Sequence, residues 1–125
     1  MTKKDEAKFL QYAGCSTCRK AKQWLDKHGV GYESIPIVES PPSLAELTRL
    51  VKLSGLPIEK WFNTSGQSYR ALVARVGKEG LARMDDAAKL RLLAADGKMI
   101  KRPVLVTGDK VLVGFDESAY RALNR

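Results

Sequence analysis

Cysteine and histidine are scarce in this chain: its 125 residues hold two Cys and one His. A structural zinc site usually takes four such ligands, and His28 lies too far down the helix predicted after Cys18 to complete one, so a metal centre is not expected. Long apolar runs are missing as well. None approaches the roughly 20 residues of a membrane-spanning helix, and Met1 to Glu6 is a charged stretch with no apolar signal segment behind it. A cytoplasmic protein that stays off the membrane is the expectation. Aromatic residues make up 7% and do not interleave with the basic ones. The net charge of +8, from 22 Lys and Arg against 14 Asp and Glu, is dispersed and forms no basic block. Direct binding of DNA or RNA is therefore not expected; the surface suits small oxyanions or an acidic partner. Repeats and low-complexity segments are absent, and 44% hydrophobic with 29% charged residues is ordinary for one soluble domain with a real core.

What is present is concentrated in Gly14-Cys15-Ser16-Thr17-Cys18-Arg19-Lys20, which holds both cysteines in C-x-x-C spacing. The run from Lys8 to Tyr12 precedes it, and Ala21, Trp24, Leu25 and His28 follow at three- and four-residue intervals. That pattern reads as strand, tight turn and helix, with Cys15 at the turn and Cys18 in the first helical turn. A helix N-terminus carries partial positive charge and unpaired N–H groups, so it favours thiolate over thiol, and Arg19 and Lys20 add full charges nearby. Cys15 is thus the expected nucleophile and Cys18 the thiol placed to close a disulfide onto it. The competing reading is two inert cysteines packed as small apolar residues. In a reducing compartment the pair is read as redox-active rather than as a structural staple.

Further along, Gly29 to Gly31 turns the chain into a second strand, Tyr32 to Val38, where Pro36 argues for a sheet edge. Pro41-Pro42 break the chain, and Ser43 with Glu46 forms a capping box for a helix that ends at Gly55. A short helical turn runs from Leu56-Pro57 through Trp61-Phe62. Asn63 to Gly66 is a loop, Ser68 to Val76 a further helix, and Asp85 or Asp86 caps one carrying Ala88, Leu90, Leu92 and Leu93. Residues 41–97 thus read as a helical insertion. Val104 to Thr107 and Val111 to Gly114, joined by Gly108-Asp109-Lys110, form a hairpin, and Asp116 caps a final helix. The order β-α-β, helices, β-β-α predicts an α/β fold with a four-stranded mixed sheet in one domain spanning residues 1–125.

This order, with C-x-x-C after the first strand, resembles the thioredoxin-like fold. More specifically the chain resembles the arsenate reductase (ArsC) family, which includes Spx-type regulators and YffB-type proteins. The likeness rests on Cys15 to Ala21, Trp61 to Gly66, Ile100-Lys101-Arg102-Pro103-Val104 and Leu112-Val113-Gly114-Phe115, in family order over essentially the whole chain. It implies that Pro103 is the active-site proline, cis and beside the cysteine, which aims Arg102 at Cys15. A guanidinium there would grip two oxygens of an oxyanion, with Arg19 and the helix-start N–H groups of Ser16 and Thr17 on another face. Read without the likeness, Arg102 is a surface strand charge. In glutaredoxin-linked arsenate reductases one cysteine attacks arsenate while three arginines bind it. Cys15 and Arg102 match two of those positions, and the other two arginine positions fall on Asn63 and Gly114. Asn63, Ser65, Ser68 and Arg70 offer polar contacts in their place, or else cap the loop.

The resemblance implies arsenate as substrate, no bound cofactor, and a thiol electron donor, either thioredoxin or glutathione with glutaredoxin. For the Spx-type reading it implies the RNA polymerase alpha subunit as partner. The glycine in that contact surface falls near Pro57 here. A generic glutathione-dependent thiol reductase of the YffB type shares the same site.

Overall fold

The computed structural model describes residues 7–123. Four strands form one sheet in the order β2-β1-β3-β4: β1 (Ala7–Gln11), β2 (Tyr32–Pro36), β3 (Val104–Thr107) and β4 (Lys110–Val113). β1 pairs parallel with β2, with Ala7 opposite Tyr32, and antiparallel with β3, with Phe9 opposite Leu105. The β3–β4 hairpin closes over Gly108-Asp109, with Thr107 opposite Lys110. The mixed α/β sheet expected from the order of elements is therefore present. β2 lies at an edge, which is where Pro36, lacking an N–H, disturbs no second neighbour.

Alternation along the strands divides the core in two. Ala7, Phe9 and Leu105 face α1 (Ser16–Lys27) and α5 (Glu117–Leu123), where Ala21, Trp24, Leu25 and Tyr120 complete one cluster. Trp24 stacks on His28 at 3.9 Å and meets Tyr120 edge-on at 5.5 Å. Leu10, Val104 and Val106 face the opposite way, into a cluster built from the segment between β2 and β3. That segment contains α2 (Leu44–Ser54), α3 (Gln67–Arg83) and α4 (Asp86–Ala95), with short 3-10 turns at Ile58–Trp61 and Gly97–Met99.

Local signals set these elements. Ser43 caps α2 by accepting the Glu46 N–H at 3.1 Å, and Gly55 ends it at φ 70°, a left-handed conformation that costs glycine little. Asp85 caps α4 by accepting the Ala88 N–H at 2.8 Å. α3 departs from expectation. It does not stop at Val76 but continues to Arg83 after a break at Gly77 (φ 79°, ψ 157°). The Lys78-to-Arg83 stretch is charged and contains Gly80, so its helix carries almost no apolar periodicity; only Leu81 is buried there. Lys89 is equally hidden among the leucines of α4: it is buried, and its Nζ donates to Glu59 Oε2 at 2.6 Å.

Two contacts join the helical segment to the sheet and fix the course of the chain into β3. At Gly97 a Cβ would lie 2.1 Å from the Ile37 carbonyl oxygen, so only glycine allows the chain to pass there. The Trp61-Phe62-Asn63 stretch then runs antiparallel to Met99-Ile100-Lys101. Phe62 bridges Ile100, Asn63 N–H donates to Met99 O at 2.8 Å, and Lys101 N–H donates to Trp61 O at 2.7 Å. Trp61 is fully buried, and its indole N–H donates to Ser54 Oγ at 3.1 Å. A rigid pairing thus ends one residue before Arg102.

Candidate active site

Cys15 is the N-cap of α1, in extended conformation (φ −96°, ψ 119°), and its Sγ accepts the Cys18 N–H at 3.3 Å. A sulfur therefore occupies the place that a Ser or Asp oxygen takes in an ordinary cap. An anion there is favoured by the helix's exposed N–H groups, which have no other intrahelical partner. The two thiols respond oppositely. Burial opposes ionisation of Cys15, but contacts with the Cys18 thiol and N–H, and then the nearby Arg102 guanidinium, outweigh it and lower its pKa. Burial pushes Cys18 up to about 12, helped by its contact with Cys15. Cys15 is partly accessible whereas Cys18 is buried, and both are free thiols.

The Arg102-Pro103 peptide is cis, and Pro103 is buried. The next turn of chain is tied to it by Gly114 N–H donating to Pro103 O at 2.8 Å. Arg102 does lie beside Cys15 and is not a free surface charge: its Nη1 is buried with no hydrogen-bond partner. A buried donor without a partner is costly unless something fills it. The guanidinium carbon sits 4.7 Å from the centroid of the Tyr12 ring. Sequence reasoning passed over Tyr12 as the end of a strand. Its partner is remote in the chain, and no local pattern announces that contact.

The remaining expected residues divide. Ser16 and Thr17 occupy the exposed first turn of α1, where their backbone N–H groups face the anion-favouring end. Arg19 is exposed and donates to Ala13 O at 3.4 Å, bracing the loop in front of Cys15. Asn63 is partly engaged in loop structure: its side-chain amide donates to Lys98 O at 3.4 Å, and its main-chain carbonyl accepts the Gly66 N–H at 3.1 Å. Arg70 donates to Ser65 O at 2.7 Å, which is loop capping. Gly114 is buried, with φ 81° and Lys101 Cε 3.2 Å from where a Cβ would stand. A side chain there meets backbone strain and a close neighbour together. Among the described residues no cluster of three or more His, Cys, Asp or Glu stands together as a metal site, and no helix is long and apolar enough to cross a membrane.

The ArsC family model matches residues 10–123. The chain belongs to the ArsC family. The uncharacterized protein YusI of Bacillus subtilis is 49% identical over 112 residues, covering 90% of this chain and 92% of that protein. The global transcriptional regulator Spx of Streptococcus agalactiae is 26% identical over 108 residues, covering 86% of this chain and 75% of the regulator. Among solved structures, an ArsC family related protein from Bacteroides fragilis superposes with a TM-score of 0.88 at 42% identity, covering 94% of this chain and 97% of that one. A possible arsenate reductase from Streptococcus mutans superposes with a TM-score of 0.82 at 41% identity, covering 97% and 99%. The thioredoxin-like fold of this ArsC-family chain follows from these matches and from the sheet described above.

Proposed function

We propose that this ArsC-family chain is a thiol oxidoreductase that reduces arsenate to arsenite, with Cys15 as nucleophile and Cys18 as resolving thiol. One observation carries the reading: Cys15 caps α1 beside a guanidinium whose buried Nη1 has no partner, so thiolate and oxyanion meet the same donors. The Cys15 thiolate attacks arsenic, and a protonated oxygen leaves as water. The Cys18 thiolate then attacks Cys15 Sγ. The S–S bond forms, the S–As bond breaks with its electron pair passing to arsenic, and arsenite departs. Two thiols are oxidised and arsenic gains two electrons. A thiol donor, thioredoxin or glutathione with glutaredoxin, reduces the Cys15–Cys18 disulfide; no bound cofactor takes part. Glutathione attacking the adduct in place of Cys18 is the variant route.

The opposed pKa shifts order these steps. While Cys15 is a thiolate, it helps to keep Cys18 protonated. Once Cys15 is bonded to arsenic that charge is gone, and Cys18 ionises more readily, when its attack is wanted. In this reading Arg102 is the oxyanion contact, and Arg19, Asn63 and the N–H groups of Ser16 and Thr17 are its further contacts.

Mass spectrometry of the reduced protein tests this. Arsenate is expected to remove two hydrogens from wild type, none from Cys15→Ser, and to leave Cys18→Ser without the disulfide. Pair oxidation by peroxide with no response to arsenate would refute the arsenate step. The Spx relative supports a second reading, a redox-sensing partner of the RNA polymerase alpha subunit. Absence of alpha C-terminal domain binding in both redox states would remove it.

A further inference from the structure

Arg102 carries a full charge on a long, flexible stem, and such a side chain keeps one orientation only when something holds it. None of the ion pairs among the described residues involves Arg102, and its Nη1 is buried without a hydrogen-bond partner. Besides Cys15, what lies against it is the Tyr12 ring, 4.7 Å from centroid to Cζ. That distance is within the range in which a cation is attracted to an aromatic face. Tyr12 is itself fixed at both ends. Its carbonyl accepts the Cys15 N–H at 3.0 Å. Its ring packs on the core beneath the inserted helices, and a Cβ at Gly14 would stand 3.0 Å from its Cε2, so the loop can pass under the ring only as glycine without displacing it. One residue therefore touches the nucleophile through its backbone and the cation through its ring.

We propose that Tyr12 is a positioning residue that seats the Arg102 guanidinium against Cys15, keeping that charge aimed at the nucleophile and at the anion it attacks. The proposal rests on the reading of Cys15 as nucleophile and Arg102 as its cationic partner. It needs the ring face, not the hydroxyl, so phenylalanine substitutes for tyrosine and an aliphatic residue does not. A ring that merely filled space would leave the ionisation of Cys15 alone.

The test is the pH profile of Cys15 alkylation by iodoacetamide, read on the Cys15 peptide of the reduced full-length chain. A neutral reagent leaves arsenate out of the measurement. Tyr12→Phe is expected to overlay wild type. Tyr12→Leu is expected to move the profile to higher pH, with reaction on the acidic limb slower by about five-fold, the factor of a partly desolvated cation–π contact, and an unchanged alkaline plateau. Tyr12→Met, which retains length and apolar character, serves the same purpose if the leucine variant does not fold. In an Arg102→Gln background, Tyr12→Leu is expected to add nothing, since the two act as one unit. A Tyr12→Leu or Tyr12→Met profile that overlays wild type while Arg102→Gln shifts it would overturn the proposal. So would a Tyr12→Leu shift of the same size in the Arg102→Gln background. A wild-type profile already like a free thiol, unmoved by Arg102→Gln, would instead mark failure of the underlying reading.

Discussion

The Cys18 N–H points at the Sγ of Cys15 across 3.3 Å, so the residue that would resolve the nucleophile also helps to ionise it. The same closeness works against Cys18, whose own ionisation would place a second negative charge beside the first. Burial of Cys18 first, and then its contact with Cys15, thereby separate two chemically identical groups into a thiol that ionises readily and one held protonated.

Selective labelling is the direct consequence. With Cys18 held at about 12, its thiolate fraction at pH 7 is on the order of 10⁻⁵. Iodoacetamide at pH 7 should modify Cys15 alone; in Cys15→Ser, burial still holds Cys18 back but the Cys15 contact is gone, so Cys18 should label at lower pH than in wild type and still far more slowly than Cys15 does at pH 7. Peptide mapping reads the outcome; equal labelling of both cysteines at pH 7 would contradict it.

The same shifts govern stability, with opposite signs. Cys15 has a lowered folded-state pKa, so its contribution is fully present above the unfolded thiol value of about 8.5. It is lost as the pH falls through the folded value. Cys18 has a raised one, so its contribution is present below that unfolded value and is lost as the pH rises toward about 12. Urea unfolding of the reduced protein should therefore show Cys15→Ser costing more at pH 8.5 than at pH 5. Wild type should lose stability relative to Cys18→Ser above pH 9. A constant difference across the range for either variant would show that the thiol is not shifted.

Legibility in the sequence tracked the range of the interaction. The Cys15 turn, the Ser43 cap of α2, the edge position of Pro36 and the Gly108-Asp109 turn are set by residues within a few positions of one another, and all appear where the sequence puts them; the return half of the Ser43–Glu46 box does not form, because the Glu46 carboxylate pairs with Arg49 instead. Strand ends were less legible. β2 stops at Pro36 rather than Val38, although Ile37 N–H still donates to Gln11 O at 3.0 Å. The helix through Arg83 is not legible, because its charged turns carry no apolar stripe. Tyr12 under Arg102 and Lys89 against Glu59 join distant segments, and no window of sequence contains either pair. Arg102 beside Cys15 is as remote, yet the family resemblance anticipated it, because a shared fold carries long-range information that local pattern does not.

Gly97 gives a stability prediction that reaches the site indirectly. A methyl group there meets the Ile37 carbonyl at 2.1 Å and the Val38 Cα at 2.9 Å, both backbone atoms that cannot rotate away. Gly97→Ala should cost about 3 kcal/mol, the upper part of the usual range for overpacking. Gly29→Ala, at φ 69° with nothing within 4 Å, should cost only about 1 kcal/mol of left-handed strain. Paired denaturant melts decide between contact and conformation as the origin. Equal losses would mean that the chain relaxes around Gly97 at little expense.

Arg102 separates the effect on the nucleophile from the effect on the substrate. A glutamine at 102 retains hydrogen-bonding atoms but removes the charge, so it acts on Cys15 through ionisation and on an oxyanion through direct contact. With neutral iodoacetamide only the first matters, and at a pH where Cys15 is fully thiolate the variant should react as fast as wild type. With arsenate both matter, and loss of a preorganised donor to a developing charge typically costs about 10²–10³-fold in rate. Arg102→Gln should therefore be nearly normal toward iodoacetamide at high pH and strongly impaired toward arsenate at that same pH. Rapid-quench measurement of adduct formation in a Cys18→Ser background isolates the first attack. If both reagents slowed by the same factor, Arg102 would act on the sulfur alone, and its unpartnered Nη1 would not be where the oxyanion binds.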